Sequence, residues 1–151
     1  MRKLYGWDYF KKLELNKPRI ERSINDTVTM LNGKESWVAA GPQATTLESR
    51  AKGNPLAVVY PEDGAVLMVS PSGILENAPA PNAAKLFVEF LLSKDGNETM
   101  VKHFQDTVNK LVKPAPGGKP LADMKTVRPS YEEIDKGIPE VKELSRDTFG
   151  I

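Results

Sequence analysis

The sequence has 151 residues, 40% of them hydrophobic, with 21 basic and 20 acidic side chains. That length suits one well-cored domain. The charge is balanced along the chain, and no basic stripe argues for nucleic acid. Zero cysteines exclude disulfides, thiolate metal sites and a cysteine nucleophile. No apolar run reaches the roughly 18 residues of a membrane span, and the start lacks the apolar core of a secretory signal peptide.

The first part of the chain alternates predicted helices with short predicted strands. Apolar residues at helical spacing predict helices over 6–15, from Ser23–Asp26 to 32, and from Thr45 or Thr46 to 52. Short apolar runs predict strands over 19–23, 37–40 and 56–60. This order is typical of an α/β fold. Five aromatic side chains in this part could stack on a ligand, but we expect the two tryptophans to lie in the core: Tyr5, Trp7, Tyr9, Trp37 and Tyr60.

The central stretch 64–92 is the strongest local pattern. The continuous apolar run 65–69 predicts a strand covered on both faces. Asn82 is the predicted N-cap of a helix over 83–92, with Lys85 and Glu89 as an i,i+4 pair on its exposed side. Gly96 is predicted to lie just beyond the end of this helix.

The remaining chain is predicted to be helical on both sides of a loop. A second helix after Gly96 carries Met100, Val101 and Phe104 and extends toward Val112. The proline- and glycine-rich stretch 113–120 predicts a loop. The tail 131–149 predicts two helical pieces divided near 137–139, because proline interrupts helices.

Few residues suggest catalysis. His103 has no second histidine at metal spacing, and the sequence 117–119 lacks the first glycine and the Ser or Thr of a phosphate loop. The acidic clusters at 62–63 and 132–135 are more typical of solvated charge than of acid–base pairs. We therefore predict no catalytic residues, no metal site and no cofactor.

Three short stretches are better candidates for ligand binding. Each puts polar groups after a predicted strand or at a helix start, where open α/β folds receive ligands and exposed N–H groups favour anions. The candidate ligand-binding residues are Ser23, Asn25, Gln43, Thr45 and Ser70. The alternative is that these residues are ordinary caps and turns.

Several segments carry a family resemblance. The match is densest over 53–64, with its Val58-Val59-Tyr60-Pro61 strand, and continues through 72–79 and 81–93, where an Ala-Pro-x-Pro-x-Ala-Ala-Lys-x-Phe helix ends in Leu-Leu-Ser. The chain resembles the extracellular solute-binding proteins of ABC importers, in the branch of ferric-iron and phosphorylated-solute receptors. Residues 6–10 and 127–129 are similar to flanking segments of that family.

The resemblance implies a two-lobed periplasmic-binding fold of type 2, with mixed or parallel sheet segments flanked by helices. It implies that this chain resembles the C-terminal half: 1–63 in the second lobe, 64–113 returning to the first, and 114–151 a linker with closing helices. Residues 61–64 are then a hinge candidate. The implied partners are a small-molecule solute and an ABC permease, and the full-length parent would be periplasmic or extracellular.

The resemblance also bears on metal and on assembly. Ferric-iron members carry neighbouring tyrosines after the strand corresponding to 37–40, where this sequence has Gly41-Pro42-Gln43. An organic or phosphorylated solute is therefore preferred over iron. If this half stood alone, its sheets would have open edges, and these favour self-association or strand exchange.

Two other classes of function remain open at this point. The first is a ligand-sensing effector domain of a transcription regulator, which would require a DNA-binding helix-turn-helix that this sequence lacks. The second is a small enzyme that uses Glu62, Asp63 or His103.

Overall fold

The structure is a computed structural model that describes residues 2–150, and it is mostly helical. The helices are α1 (Arg2–Tyr5), α2 (Asp8–Glu14), α3 (Asp26–Asn32), α4 (Gln43–Ala51), α5 (Pro81–Leu92), α6 (Lys94–Lys102) and α7 (Tyr131–Phe149). The strands are β1 (Ala65–Val66) and β2 (Thr126–Val127), with a 3-10 turn at Leu121–Asp123. Among the described residues, none of the helices has the length and apolar character of a membrane span.

The chain divides into two compact units. Unit 1 consists of the described residues of Met1–Ile20, Glu62–Met68 and Lys125–Ile151, and unit 2 of Glu21–Pro61 and Val69–Met124. The assignment of the three ranges 1–63, 64–113 and 114–151 to receptor lobes stays a prediction.

Unit 1 contains the two strands, which pair in parallel with Ala65 opposite Thr126. Gly64 comes just before β1 at a φ of +128°, and a Cβ there would lie 2.7 Å from Cγ2 of Val127. Only glycine fits this combination of backbone angle and close approach. Helix α2 packs against α7 in the same unit, where Trp7 Nε1 donates a hydrogen bond of 2.9 Å to Thr148 Oγ1.

Unit 2 contains two helix pairs, α3 with α4 and α5 with α6. All four buried apolar side chains found among the described residues belong to this unit: Val28, Met30, Leu47 and Ala115. Gly96 lies inside α6 and not beyond a helix end as predicted, and a Cβ there would lie 2.0 Å from the Phe90 carbonyl oxygen. The absence of a side chain at Gly96 therefore lets α6 approach the end of α5.

The predicted strands differ most from the structure. Segments 37–40 and 56–60 do not form strands, and the run 65–69 forms a strand only at Ala65–Val66. Segment 19–23 is also outside the strands. An apolar run becomes a strand only when a neighbouring strand supplies hydrogen bonds, and within residues 2–150 only β1 and β2 supply them to each other.

Burial differs from the prediction for the same reason. Trp37, predicted to lie in the core, is 93% exposed, and Met68, predicted to be covered on both faces, is 80% exposed. Trp7 is half-buried. An apolar sequence pattern indicates which residues would be stabilised by burial. It does not show which other residues pack against them.

The helices are closer to prediction, with four differences. Gly6 adopts a φ of +66° and follows α1, which was not predicted, so the helix predicted over 6–15 begins only at Asp8 as α2. Helix α6 ends at Lys102 instead of extending toward Val112, and Phe104 follows with a left-handed φ of +60°. Helix α7 continues unbroken through Pro139, and Pro81, not Asn82, opens α5, because proline suits the first helical turn.

Candidate functional site

The starts of helices α3 and α4, both predicted to bind ligand, lie in unit 2 and converge on Gly41. The two helices pack against each other and carry the buried residues Val28 and Leu47, and Asn32 Nδ2 donates a hydrogen bond of 2.9 Å to Ser49 Oγ. A Cβ on Gly41 would lie 2.8 Å from Thr27 Oγ1, in the first turn of α3. The chain entering α4 therefore runs directly against the start of α3.

A small cavity of about 80 Å³ lies at this junction. It is lined by Thr27, Leu31, Ala39, Gly41, Pro42, Gln43, Thr46, Ala57, Val58 and Val59. Of the five predicted ligand-binding residues, only Gln43 is part of this wall. The cavity is large enough for two or three waters or one small charged group, and smaller than a pocket that encloses a whole ligand.

Helix α4 begins without a side-chain cap. Pro42 occupies the N-cap position, and no side chain accepts from the first N–H groups. An α-helix leaves its first four N–H groups without helical acceptors, and its dipole makes this end positive. The start of α4 is therefore suited to an anion.

The two threonines in the first turn of α4 behave differently. Thr46 Oγ1 donates a hydrogen bond of 2.8 Å to the Pro42 carbonyl. Thr45 Oγ1 is shielded from solvent and has no hydrogen-bond partner in the described part of the chain. A buried hydroxyl without a partner is costly, so Thr45 is the polar group at this helix start that most needs a ligand or water.

Gln43 is held by a chain of hydrogen bonds within unit 2. Its Nε2 donates to Asp106 Oδ1 at 2.6 Å, while Tyr60 Oη donates to its Oε1. The backbone N–H of Lys119 donates to Tyr60 Oη at 3.2 Å. Gln43 therefore positions the start of α4 and has one amide hydrogen left for a ligand.

Partial desolvation acts on both ionisable members of this chain of hydrogen bonds. It raises the pKa of Tyr60, so the phenol stays protonated and keeps donating to Gln43. It also raises the pKa of Asp106, although Asp106 as a whole residue is exposed and its hydrogen bond from Gln43 opposes the shift. The position of the Gln43 side chain is therefore set mainly by these hydrogen bonds, and the charge on Asp106 has less effect on it.

The predicted pair Ser23 and Asn25 forms the turn that leads into α3. The backbone N–H of Asn25 donates to Ser23 Oγ at 3.3 Å, and the Ser23 N–H donates to Asp26 Oδ2 at 3.2 Å. The Asn25 side chain is exposed and provides no cap hydrogen bond to α3. Ser23 thus has a local role, while the amide of Asn25 is available to a ligand.

Ser70, the fifth predicted residue, is exposed in an irregular part of unit 2. It is not among the residues lining the cavity at Gly41. The structure thus gathers the residues of α3 and α4 near one junction and leaves Ser70 outside it.

Sequence reasoning missed several residues at the junction. Thr27 lines the cavity, and Tyr60 and Asp106 hold Gln43. Thr46, which was predicted as a possible helix start, also lines the cavity. Thr27 follows the predicted cap Asp26 by one position, so a helical projection from that cap could have identified it. Asp106 lies 63 residues from Gln43, and no local pattern in the sequence indicates that contact.

A second, more open cavity of about 420 Å³ lies in unit 1 between α2 and α7. Its walls are formed by Trp7, Lys11, Glu14, Leu144, Asp147 and Thr148. The indole N–H of Trp7 is already used by Thr148, and none of the predicted site residues lies here.

The side chains considered for catalysis are separated or already engaged. Asp63 Oδ2 accepts a hydrogen bond of 2.6 Å from Tyr5 Oη, and this bond lowers the pKa of Asp63. A lowered pKa weakens a carboxyl group both as an acid and as a base near neutral pH. His103 caps the C-terminus of α6. Within residues 2–150, no three His, Cys, Asp or Glu side chains come together as potential metal ligands.

Comparison with known families decides the class of this protein. A family model described as "Bacterial extracellular solute-binding protein" matches residues 2–104, more than half of the chain. The chain belongs to the bacterial extracellular solute-binding proteins. No curated protein and no solved structure matches it.

The solute-binding match covers the predicted site. It includes α1 through α6 and all five predicted ligand-binding residues, and it ends at Phe104. Asp106 and Lys119, which support Gln43 and Tyr60, lie beyond the matched range. A solute-binding family with a small parallel sheet among helices agrees with the α/β class predicted from the sequence.

Proposed function

We propose that this chain is the solute-binding component of an ABC import system, or part of one. It captures a small polar or anionic solute and delivers it to a membrane permease in the periplasm or outside the cell. Capture is non-covalent, and the chain performs no chemical step on the solute. Membership in the solute-binding family supports the binding role, and the uncapped start of α4 supports the anionic character of the solute.

The observation that carries the proposal is the start of α4 beside Gly41. Pro42 leaves the first N–H groups of the helix without a side-chain acceptor, and Thr45 Oγ1 is buried without a partner. A phosphate or carboxylate at this position would accept from those N–H groups. Thr45 lies outside the cavity wall, and we propose that its hydroxyl turns toward the helix start to donate to the bound anion.

The size of the cavity at Gly41 limits which part of the solute its lining residues can contact. About 80 Å³ accommodates a charged group and not a complete organic solute, because ligand pockets typically measure about 300–1,000 Å³. In the proposed receptor, the α3 and α4 wall binds the anionic group, and the facing lobe covers the rest on closure. Asn25 and Ser70 are proposed as further polar contacts on the same solute.

The sequence Gly41-Pro42-Gln43 favours an organic anion over ferric iron. Ferric iron is a hard cation that takes anionic oxygen ligands, such as the neighbouring tyrosines expected from the resemblance. This position provides backbone N–H groups, a proline and an amide instead. The proposed solutes are therefore phosphorylated or carboxylated organic molecules.

A matched pair of threonine variants tests the site. Inorganic phosphate, sulfate and acetate are titrated into the wild-type chain while thermal unfolding is followed, and a bound anion should raise the unfolding temperature. Thr45→Val keeps the shape of the side chain but removes the hydroxyl, and we expect it to weaken anion binding about tenfold. Thr99→Val is the control, because Thr99 Oγ1 donates within α6 to Asp95 O and should leave the anion response unchanged.

Filling the space at Gly41 gives a second arm of the same experiment. A side chain at Gly41 meets Thr27 Oγ1, so Gly41→Val should abolish the anion response even where the variant still folds. If all four proteins responded equally to the anions, the site at α4 would be excluded. If the wild-type chain responded to none of the anions, the anionic character of the solute would be excluded.

A further inference from the structure

The loop 114–120 lies directly against helix α4 in unit 2. A Cβ on Gly117 would lie 3.3 Å from Leu47 Cδ2, and a Cβ on Gly118 would lie 3.5 Å from both Leu47 Cδ1 and Gln43 Nε2. Gly117 also has a φ of +83°, a left-handed backbone that glycine adopts without strain. The two glycines therefore let the loop approach α4 closely, at the turn that contains Gln43.

The residue after these glycines, Lys119, is fixed by its backbone next to the Gln43 side chain. Its N–H donates a hydrogen bond of 3.2 Å to Tyr60 Oη, and the same hydroxyl donates to Gln43 Oε1. Gln43 is the first residue of α4. The backbone of Lys119 is therefore two hydrogen bonds away from the helix start that is proposed to bind the anionic group of the solute.

The side chain of Lys119 is not engaged in the same way. The residue is exposed, and its ammonium forms no ion pair with any residue between 2 and 150. Its Nζ lies 6.0 Å from the centroid of the Tyr60 ring, at the outer limit of a cation–π contact. Because a lysine has a flexible four-carbon stem, the ammonium is free to move toward a ligand near Gln43.

The charges around the start of α4 leave room for such a cation. Asp106 Oδ1 accepts a hydrogen bond of 2.6 Å from Gln43 Nε2, so a carboxyl group lies beside the first residue of the helix. Its negative charge would repel an anion bound there, and the helix dipole supplies only about half an elementary charge of the opposite sign. A full positive charge within reach of Gln43 would offset this repulsion.

We propose that Lys119 is a specificity-determining residue of the anion site. Its ammonium turns from Tyr60 toward an anion at the start of α4 and favours groups with two negative charges over groups with one. Coulomb attraction scales with the product of the charges, so Lys119 contributes about twice as much free energy to binding a dianion as to binding a monoanion.

This inference rests on the proposed function and narrows its solute class. Phosphorylated and phosphonate solutes carry close to two negative charges near neutral pH, whereas a single carboxylate carries one. Lys119 lies outside the matched range 2–104, so the family match does not assign it this role. The solute is therefore a dianionic phosphate or phosphonate compound in preference to a simple carboxylate.

Neutralisation of Lys119 tests the charge preference. Sulfate, with two charges, and acetate, with one, are titrated at neutral pH and equal ionic strength while thermal unfolding is followed. Lys119→Met keeps an unbranched side chain and removes the charge, and we expect it to weaken sulfate binding about fourfold and acetate binding about twofold. Lys119→Arg keeps the charge and should keep the preference for sulfate. Lys85→Met is the matched control, because it removes the same charge from an exposed position on α5 and should leave both affinities unchanged.

The dependence on salt gives a readout that lost packing would not change. Between about 20 and about 200 mM sodium chloride the affinity of the wild-type chain for sulfate should fall, because screening shortens the range of the attraction. In Lys119→Met it should fall less steeply.

Two outcomes separate the role of Lys119 from the anion site itself. A wild-type chain that binds both anions, with Lys119→Met either unchanged or weakened equally for sulfate and acetate, would overturn the role of Lys119 and leave the site at α4 standing. A wild-type chain that responds to neither anion would overturn the anion site, and the role of Lys119 with it.

Discussion

At the scale of single residues, Asn97 is the best-satisfied polar side chain in unit 2. It is 0% exposed. Its Nδ2 donates to the carbonyls of Leu91 and Ser93, both at 2.9 Å, and its Oδ1 accepts from Thr107 Oγ1 at 2.9 Å and from the Val108 N–H at 3.0 Å. One buried amide therefore joins the end of α5 to the irregular segment after α6.

Replacement of this amide should be strongly destabilising. Asn97→Ala leaves buried carbonyl and N–H groups without partners, each at a cost of about 1–3 kcal/mol. We expect the free energy of unfolding to fall by about 3 kcal/mol, measured by urea denaturation. The control is Asn77→Ala at an exposed turn position, which should change it by less than about 0.5 kcal/mol. Equal effects of the two substitutions would show that the network around Asn97 does not form.

Asp63 provides a pH-dependent test in the hinge candidate 61–64. The hydrogen bond from Tyr5 lowers the pKa of Asp63, and the same bond raises the pKa of Tyr5. Because the folded-state pKa of Asp63 lies below its unfolded value, this stabilisation is present above the unfolded pKa and is lost as the pH falls through the folded one. Tyr5 behaves in the opposite sense, and its contribution is lost as the pH rises through its raised pKa.

NMR titration of the Asp63 carboxyl carbon measures this effect directly. In Tyr5→Phe the pKa of Asp63 should rise toward its ordinary value. Tyr9 stacks on Tyr5 with ring centroids 5.5 Å apart, so Tyr9→Phe keeps the ring contact and should leave the pKa of Asp63 low. An Asp63 titration that is identical in the wild-type chain and in Tyr5→Phe would exclude the hydrogen bond.

Sequence reasoning found part of the candidate site at this scale. Helix-start chemistry predicts that Gln43 and Thr45 bind ligand, and this stays a prediction. It did not anticipate that the amide of Gln43 is engaged by Asp106 and Tyr60, because those contacts join residues far apart in sequence. Trp37 was assigned to the core from its apolar neighbours, and it is 93% exposed because nothing in the described chain packs on it.

At the scale of elements, α7 shows how caps and breakers compete. Ser130 and Glu133 form a reciprocal capping box, with the Ser130 N–H donating to Glu133 Oε2 at 2.6 Å and the Glu133 N–H donating to Ser130 Oγ at 3.2 Å. Hydrogen bonding to the Ser130 N–H lowers the pKa of Glu133. The helix then continues through Pro139, although proline removes one backbone hydrogen bond.

Replacement of Pro139 should therefore stabilise α7. Pro139 is exposed, so Pro139→Ala loses no packing and gains helix propensity worth up to about 3 kcal/mol. We expect the free energy of unfolding, followed by far-UV circular dichroism, to rise by about 1–3 kcal/mol. Pro129→Ala, just before the helix, is the control and should have no stabilising effect. A decrease for Pro139→Ala would mean that proline is required at this position.

Helices were more predictable than strands because helix hydrogen bonds are local. The caps and periodicity around α3, α4 and α5 contain most of what their formation needs. The run 65–69 contains the residues of a strand, but its ladder extends only where β2 supplies partners, at Thr126 and Val127. Information about that partner lies about 60 residues away in the chain and not in the run itself.

At the scale of the whole molecule, a few buried apolar side chains contrast with many exposed ones. In the described chain only Val28, Met30, Leu47 and Ala115 are buried and apolar, fewer than a well-cored domain of this length would bury. The family resemblance predicted a solute-binding protein, and the family match confirmed that much. The burial of the apolar residues in the sequence patterns could not be predicted, because it depends on which other surfaces pack against them.

The central claim is that this chain binds a small anionic solute without converting it. Native mass spectrometry of the protein, mixed with sugar phosphates, phosphonates, polyamines or Fe(III), tests this claim most directly. We expect a one-to-one complex with a phosphorylated or phosphonate solute, and recovery of that solute with its mass unchanged after release. Complexes with polyamines or Fe(III) alone, or a solute released with an altered mass, would contradict it.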